Sequence, residues 1–366
     1  MNKLDEARNI INNVDKQMAE LFCERMKAAE LVAEYKREKG LPILDSAREE
    51  AIICNNSKAL KCQEYAEYYV NFLQDVMKIS RNYQHRLING MKIAYSGVEG
   101  AFAHIAAGKI FESGTRIAYP NFKSAYKAVV EGECDCAVLP IENSSAGEVG
   151  TVIDLIFAGT LYINGVYELS VSQNLVGLQN AEITDIKKVV SHIQALEQCD
   201  AYIKSHGFEV SMCDNTAIAA QNVAKNGDKS VAAIASTETA DLYGLKVLDS
   251  NINESHQNTT RFAVLSRSEH LKTVNKPDNN SILMFTVRNE AGFLAKAINI
   301  IGEHGFNMRN LRSRSMKELL WQYYFYVELE GNLHTAEGDA MLHDLQQYCD
   351  KLKVVGTYHN HIDLGE

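Results

Sequence analysis

Along residues 1–88 the apolar positions recur at helical spacing. One heptad-like line runs Leu4, Ala7, Ile11, Val14, Met18, Leu21, Arg25, Ala28, Val32, Tyr35, with no Gly or Pro before Gly40-Leu41-Pro42. It predicts a single helix of about nine turns. A second helix is expected after Asp45, where Ser46-Ala47-Arg48-Glu49 fits a capping box. A third carries Tyr69, Leu73, Val76, Ser80, Gln84 and Leu87 on one stripe. No stretch of this segment alternates like a strand.

From Met91 the period changes. MKIAY, RIAY, DCAVLP, LSVSQNLV, KKVVS, SVAAIA and RFAVL are short apolar runs that alternate with helical stretches at 121–131, 194–205 and 216–225. Such alternation predicts an α/β segment with a mostly parallel sheet. Lys276-Pro277-Asp278-Asn279-Asn280-Ser281 reads as a linker. Strands at 282–287, 307–315, 321–329 and 351–357, with helices at 292–304 and 335–349, then give the βαββαβ order of a ferredoxin-like α+β domain. Three domains are expected, at 1–88, 91–270 and 281–366.

Composition narrows the class. Of 366 residues, 46% are apolar and 23% charged, which is ordinary globular usage. No apolar run reaches the ~18–20 residues of a membrane span, and MNKLDEARNI lacks the apolar core of a signal peptide. Residues 1–90 hold 14 Lys+Arg and 14 Asp+Glu, so the net charge of −10 falls on the remainder. With no basic stripe, nucleic acid is not an expected partner. The eight cysteines form no CxxC pair, and reduced thiols in a cytoplasmic protein are the expectation. No metal or organic cofactor is implied.

Within the helical segment, charge sits where the core pattern expects apolar groups. Arg25 interrupts the aliphatic seam, and Lys36, eleven residues on, shares its face within ~20°. Ser80 and Gln84 are an i,i+4 pair on the stripe of the third helix. A seam arginine can snorkel and a Ser or Gln can mark a stripe's edge. Taken together they suggest a cation-rich polar pocket in a helical bundle, suited to a small anion.

The set Arg8, Arg25, Lys36, Asp45, Arg48, Glu49, Ser80 and Gln84 resembles the active site of the all-helical chorismate mutases, a three-helix fold. The resemblance implies that Arg8, Arg25 and Arg48 face the substrate carboxylates and that Lys36 and Gln84 donate to the breaking ether oxygen. Glu49 and Asp45 would handle the hydroxyl side, with Ser80 assisting. The rearrangement of chorismate to prephenate is pericyclic, so conformer clamping and charge stabilisation are the whole requirement. Arg8 and Arg25 lie about 25 Å apart on one helix. One small substrate cannot touch both from that helix, so a homodimer or higher homo-oligomer sharing the helix is expected.

In the α/β segment, Gly97-Val98-Glu99-Gly100 follows a strand and precedes a helix, a fitting place for a carboxylate. No GxGxxG occurs, which disfavours a nicotinamide dehydrogenase. Pro140-Ile141-Glu142-Asn143-Ser144 ends a strand in the crevice where α/β folds bind ligands. His104 and His192 are candidate bases. The runs GVEGAFAHIAA, GECDCAVLPIENSSAGEV, SHIQALEQC, NTAIAA, YGLKVL and NTTRF resemble prephenate dehydratase over roughly 91–270. That family folds as two α/β lobes around a cleft, similar to periplasmic binding proteins, and its essential Thr corresponds to Thr260. On this basis Thr260 donates to the leaving hydroxyl and Arg261 binds the retained carboxylate. Glu142, Asn143, Ser144, Thr216 and Phe262 line the cleft. Ala101 and Ala103 stand where the family usually has Thr and Ser.

Residues 281–357 resemble an ACT domain. Ala291-Gly292-Phe293-Leu294, Asn307 and Arg312-Ser313-Arg314 occupy its regulatory motifs, although the family's Glu-Ser-Arg-Pro is here Arg-Ser-Arg-Ser. The expectation is a bifunctional enzyme acting on chorismate and then prephenate, with phenylalanine as a feedback effector. Arogenate as dehydratase substrate and a non-catalytic metabolite sensor are the rival readings.

Overall fold

The computed structural model describes residues 2–255, 257–269, 279–316, 322–359 and 362–365. They form two compact units, Met1–Lys92 with Ser113–Thr115, and Ile93–Glu112 with Arg116–Glu366.

The first unit is helical. Helix α1 (Lys3–Lys39) opens on Asn2, whose side chain accepts the Asp5 N–H, and closes on Gly40 in the left-handed region at φ 62°. Helix α2 (Ser46–Ala59) starts directly after Asp45, as expected, but the residue that caps it differs from the capping box. Asp45, not Ser46, accepts the Arg48 N–H, at 3.0 Å. Glu49 is thereby released from capping and pairs with Arg81. Helix α3 (Ala66–Asn89) buries Val76, Met77, Ser80 and Gln84 and packs on α1 and α2. On α1 the positions buried by this packing are Ala29 and Ala33, small residues that permit close approach. The expected apolar seam is largely uncovered: Leu4, Ile11, Val14, Met18 and Leu21 are 43–63% exposed.

The second unit begins with β1 (Lys92–Ser96), α4 (Phe102–Ile110), β2 (Thr115–Tyr119), α5 (Phe122–Val130), β3 (Cys136–Asn143), β4 (Gly147–Glu148), α6 (Gly150–Ala158) and β5 (Tyr162–Ser170). After β5 the chain crosses to a second lobe: β6 (Asn174–Gly177), β7 (Lys188–Ser191), α7 (Ile193–Gln198), α8 (Asp200–His206), β8 (Glu209–Met212), α9 (Thr216–Asn226), β9 (Val231–Ala235), α10 (Thr237–Leu242) and β10 (Lys246–Asp249). Strand β11 (Thr259–Ser266) then returns to the first lobe. The C-terminal part follows as β12 (Asn279–Val287), α11 (Phe293–Glu303), β13 (Met308–Ser315), β14 (Tyr323–Glu330), α12 (Ala336–Gln346), β15 (Cys349–His359) and β16 (Ile362–Asp363).

Three sheets result, where the alternation suggested one mostly parallel sheet before the C-terminal domain. The first runs β16-β5-β11-β3-β1-β2, with β4 on β3, and the second β10-β6-β9-β7-β8. Both are mixed. Strand β11 is antiparallel to β3 and to β5, and β6 is antiparallel to β9 and β10, while β1 and β3 and the β7 pairs are parallel. A strand that returns from another lobe need not follow the parallel crossover rule, which explains the mixture. The run LSVSQNLV is split by the crossing at 171–173 into the end of β5 and β6.

The C-terminal sheet has the order β13-β14-β12-β15, all antiparallel, with the βαββαβ connectivity the periodicity gave. Strand alternation gives it two faces. Leu283, Phe285, Val327 and Leu329 pack with Ala297, Ile301, Met341 and Leu345 of its helices. Ile282, Met284, Tyr324, Tyr326 and Tyr358 join Val152, Ile156, Phe157 and Ile163 in the core of the first lobe. The supposed linker is partly strand. Asn279–Ser281 are buried at the start of β12, and Ser281 Oγ bonds the Gly331 carbonyl at 2.9 Å and Thr357 Oγ1 at 3.1 Å. Lys276, Pro277 and Asp278 lie outside the described residues, as does Trp321, where the strand found from Tyr323 was expected to start.

Candidate active sites

In the helical unit, packing of α3 on α1 brings Arg25 to Ser80, whose Oγ accepts from the guanidinium and donates to the Val76 carbonyl at 3.1 Å. Tyr83 donates to Glu30 at 2.6 Å on the same helix pair, and this bond, with burial, raises the phenol pKa. Lys36 Nζ donates to the Ile43 carbonyl in the α1–α2 loop. Gln84 is buried and its Oε1 has no hydrogen-bond partner among the described residues. Arg48 and Asp45 are exposed at the start of α2, joined by the cap. Arg8 stands on the exposed first half of α1. Arg81, which pairs with Glu49, escaped the sequence reading; its one signal was a cation directly after Ser80.

In the second unit, a cavity of about 760 Å³ opens between the two lobes. The N-terminal ends of α4, α5 and α9 face it through Ala101-Phe102-Ala103, Asn121-Phe122 and Asn215-Thr216. Asn121 and Asn215 cap their helices, accepting from the Ser124 and Ala217 N–H groups. No lysine or arginine lines the cavity among the described residues. The groups it offers an anion are helix N-termini and amide donors, and the Asp214 carboxylate also stands on its lining.

Thr260 and Phe262 of β11 and Asn143 of β3 face the cavity. Asn143 is firmly oriented, because its Oδ1 accepts from the Ser145 and Ala146 N–H groups at 3.0 and 2.9 Å. Its Nδ2 must therefore donate, and it does so to Thr260 Oγ1 at 3.0 Å and Asn258 Oδ1 at 2.8 Å. Asn258 continues to Gln198 Oε1 at 3.0 Å, and Gln173 reaches the same oxygen at 3.3 Å. Gln173, Gln198 and Asn258 were not singled out in the sequence. Gln198 lies in the quoted run SHIQALEQC, and Gln173 and Asn258 sit at the two lobe crossings. His192 lines the cavity, and its Nδ1 accepts from the Gln194 N–H, which leaves the proton of the neutral ring on Nε2. His104 does not line it. Its Nδ1 accepts from the Gly100 N–H, its ring packs on Tyr95, and burial lowers its pKa.

Three expected cleft residues lie elsewhere. Arg261 and Glu142 adjoin Thr260 and Asn143, and strand alternation turns them to the opposite face. Arg261 is ion-paired with Glu142 and Glu328 there, so it does not serve a ligand in the cavity. Ser144 is likewise outside it, bonded to Gln257 O and Thr259 N.

The residues expected to be regulatory do not gather in one place. Gly292, left-handed at φ 85°, precedes α11, and Phe293 lies under Lys296 and Arg288 at 5.4 and 5.7 Å. Ala291 and Leu294 flank them. Asn307 donates to Glu330 at 2.9 Å. Arg312 and Arg314 instead face the first lobe, pairing with Glu142, and with Glu148 and Asp154, while Ser313 between them alternates to the other face. No group of three or more His, Cys, Asp or Glu among the described residues could hold a metal.

A helical unit with cations on its packed face, followed by a two-lobed cleft built on amide donors, defines a two-part enzyme of anionic metabolites. The chorismate mutase type II family model matches residues 7–85, and the prephenate dehydratase model matches 93–270. A bifunctional chorismate mutase/prephenate dehydratase of Enterobacter agglomerans is 30% identical over 98% of this chain and 96% of its own length. The chain belongs to the bifunctional chorismate mutase/prephenate dehydratase family. Among solved structures, a prephenate dehydratase from Arthrobacter aurescens in complex with L-Phe matches with a TM-score of 0.68 and 25% identity, over 74% of this chain and 90% of that one. One from Staphylococcus aureus matches at 0.64 and 26%, over 74% of this chain and all of its own.

Proposed function

We propose that this chain converts chorismate to prephenate in its helical unit and prephenate to phenylpyruvate in the interlobe cavity. The observation that carries the second step is the Asn143–Thr260 hydrogen bond. Because the oriented amide donates to Thr260 Oγ1, the threonine's own proton is free to point into the cavity. It donates to the ring hydroxyl of prephenate as that group departs. The electron pair left by the departing carboxylate, lost as CO2, enters the ring, which becomes aromatic as the C–O bond breaks. The N-termini of α4, α5 and α9 hold the retained pyruvyl carboxylate, the role the sequence reading gave to Arg261.

The mutase site is composite in this reading. Arg25, Lys36, Arg48, Glu49, Asp45, Ser80 and Gln84 come from one chain and Arg8 from a second copy, because α1 carries Arg8 on a half that its own chain leaves uncovered. Domains at 1–88, 91–270 and 281–366, the last an ACT-type module, complete the assignment. Phenylalanine is the proposed effector, supported by the L-Phe complex of the Arthrobacter aurescens relative. A cytoplasmic location is supported by eight free cysteines, and no described helix is long and apolar enough to cross a membrane.

The test is to supply chorismate to the purified chain and follow prephenate and phenylpyruvate separately, with and without phenylalanine. Both products should appear in sequence, and phenylalanine should slow the second. Accumulation of prephenate alone removes the dehydratase, and turnover of arogenate in preference to prephenate changes its substrate.

A further inference from the structure

The cavity faces of β3 and β11 carry Asn143 and Thr260, and their opposite faces carry the next residues along, Glu142 and Arg261. The register sets Thr260 against Asn143 and Arg261 against Glu142. On that far side the C-terminal sheet supplies further partners, beside two first-lobe carboxylates, Glu168 of β5 at 3.9 Å from Arg261 Nε and Glu148 of β4 at 3.9 Å from Arg312 Nη1. Glu328 of β14, 3% exposed, takes Arg261 Nη1 and Nη2 at 2.9 and 3.1 Å. Tyr326 donates to Glu328 at 2.6 Å and Tyr358 at 3.4 Å. Arg261 Nη1 also reaches Glu142 Oε2 at 3.0 Å, and Arg312 of β13 holds the other oxygen of Glu142. The result is a chain of alternating charge, Glu328–Arg261–Glu142–Arg312, that starts and ends on the C-terminal sheet and passes through both strands bearing the reacting groups.

Burial alone would raise the Glu142 pKa, but the bonds from Arg312 and Arg261 outweigh it and hold the carboxylate below its ordinary range. Half-buried ion chains of this kind tolerate little displacement, because moving one member strands its neighbour's charge. Position 312 is also where this chain departs from the motif it resembles, with a base in place of an acid. An acid there would face Glu142.

We propose that Glu328, Arg261, Glu142 and Arg312 are positioning residues, through which the C-terminal sheet sets β3 against β11 and with them the Asn143–Thr260 contact. The inference rests on the dehydratase reading of the cavity. It makes the C-terminal domain a structural determinant of that reaction, whatever binds the domain.

The test uses the full chain, with the chorismate mutase rate as an internal control. Failure of the wild-type chain to turn over prephenate defeats the dehydratase reading itself and is seen before any variant is made. Arg312→Gln should lower dehydratase kcat about tenfold, with KM for prephenate within about twofold and mutase turnover unchanged. Arg312→Lys should restore most of the loss. In a Glu142→Gln background the Arg312→Gln exchange should have little further effect; if that background does not fold, Glu142→Met, which also removes the carboxylate that Arg312 holds, replaces it in the cycle. An unchanged kcat, a change confined to KM, additive effects in the cycle, or parallel loss of both activities would each overturn the proposal.

Discussion

Asn143 shows how one side chain's orientation fixes another's chemistry. Its carbonyl is held by two backbone N–H groups, so its amide can only donate, and Thr260 keeps a proton for the cavity. Asn143→Asp is nearly isosteric but reverses this, since a carboxylate would take the threonine proton. The exchange should lower dehydratase kcat about 10²–10³-fold, the typical cost of losing a transition-state donor. Steady-state kinetics on prephenate check it, and a loss under threefold would remove the assigned role. Thr260, Asn143, Thr216 and Phe262 all line the cavity; Asn143 ends an apolar run, and the other three were named from runs that resemble prephenate dehydratase. Arg261 and Glu142 were misplaced for a geometric reason. Neighbouring residues in a strand face opposite ways, and sequence adjacency to a reactive Thr does not say which face the ligand occupies.

At the level of elements, the long strongly periodic segments were the readable ones: α1, α3 and the βαββαβ tail. Strands β8 and β10 were missed because they are short. Val210 and Met212 of β8 are exposed at 50% and 72%, so no buried stripe marks that strand. Asn279–Ser281 looked like linker because polar residues can be buried in a strand when side chains satisfy them. Docking of the C-terminal sheet also depends on β15, whose Lys353 donates to the Ile156 and Gly159 carbonyls at 2.7 and 2.6 Å, at the end of α6. Burial, with nearby Lys351, lowers its pKa to about 8. Between about pH 8 and the ordinary lysine value of ~10.4, the unfolded chain binds a proton that the folded chain has released. Wild-type stability relative to Lys353→Met should therefore be flat below pH 8 and rise through that window. Paired thermal melts at pH 7, 8.5 and 10 measure the difference, and a fall or a constant difference would contradict the depressed pKa.

At the scale of the whole molecule, net charge is a poor guide, since in the proposed reading a chain at −10 meets its anionic substrates through a few guanidinium groups and helix ends. What matters more is the first half of α1. It presents Leu4, Ile11, Val14, Met18 and Leu21 to solvent in the single chain, an apolar stripe of the kind that marks an interface. The same half carries Arg8, too far along the helix from Arg25 for one substrate to bridge. A two-fold pair of chains that bury the stripe against each other would bring Arg8 of each to the Arg25, Lys36 and Gln84 of the other. That arrangement predicts complementation between dead chains. Arg8→Ala and Arg25→Ala chains, each expressed alone, should lack mutase activity. Co-expressed, they form mixed dimers in which one of the two sites has both arginines intact. Random pairing makes half the dimers mixed, so about a quarter of wild-type mutase turnover should return. Dehydratase turnover should be at the wild-type level in all three preparations. Mutase activity no higher than that of the separate variants would place Arg8 outside the site and remove the shared-helix dimer.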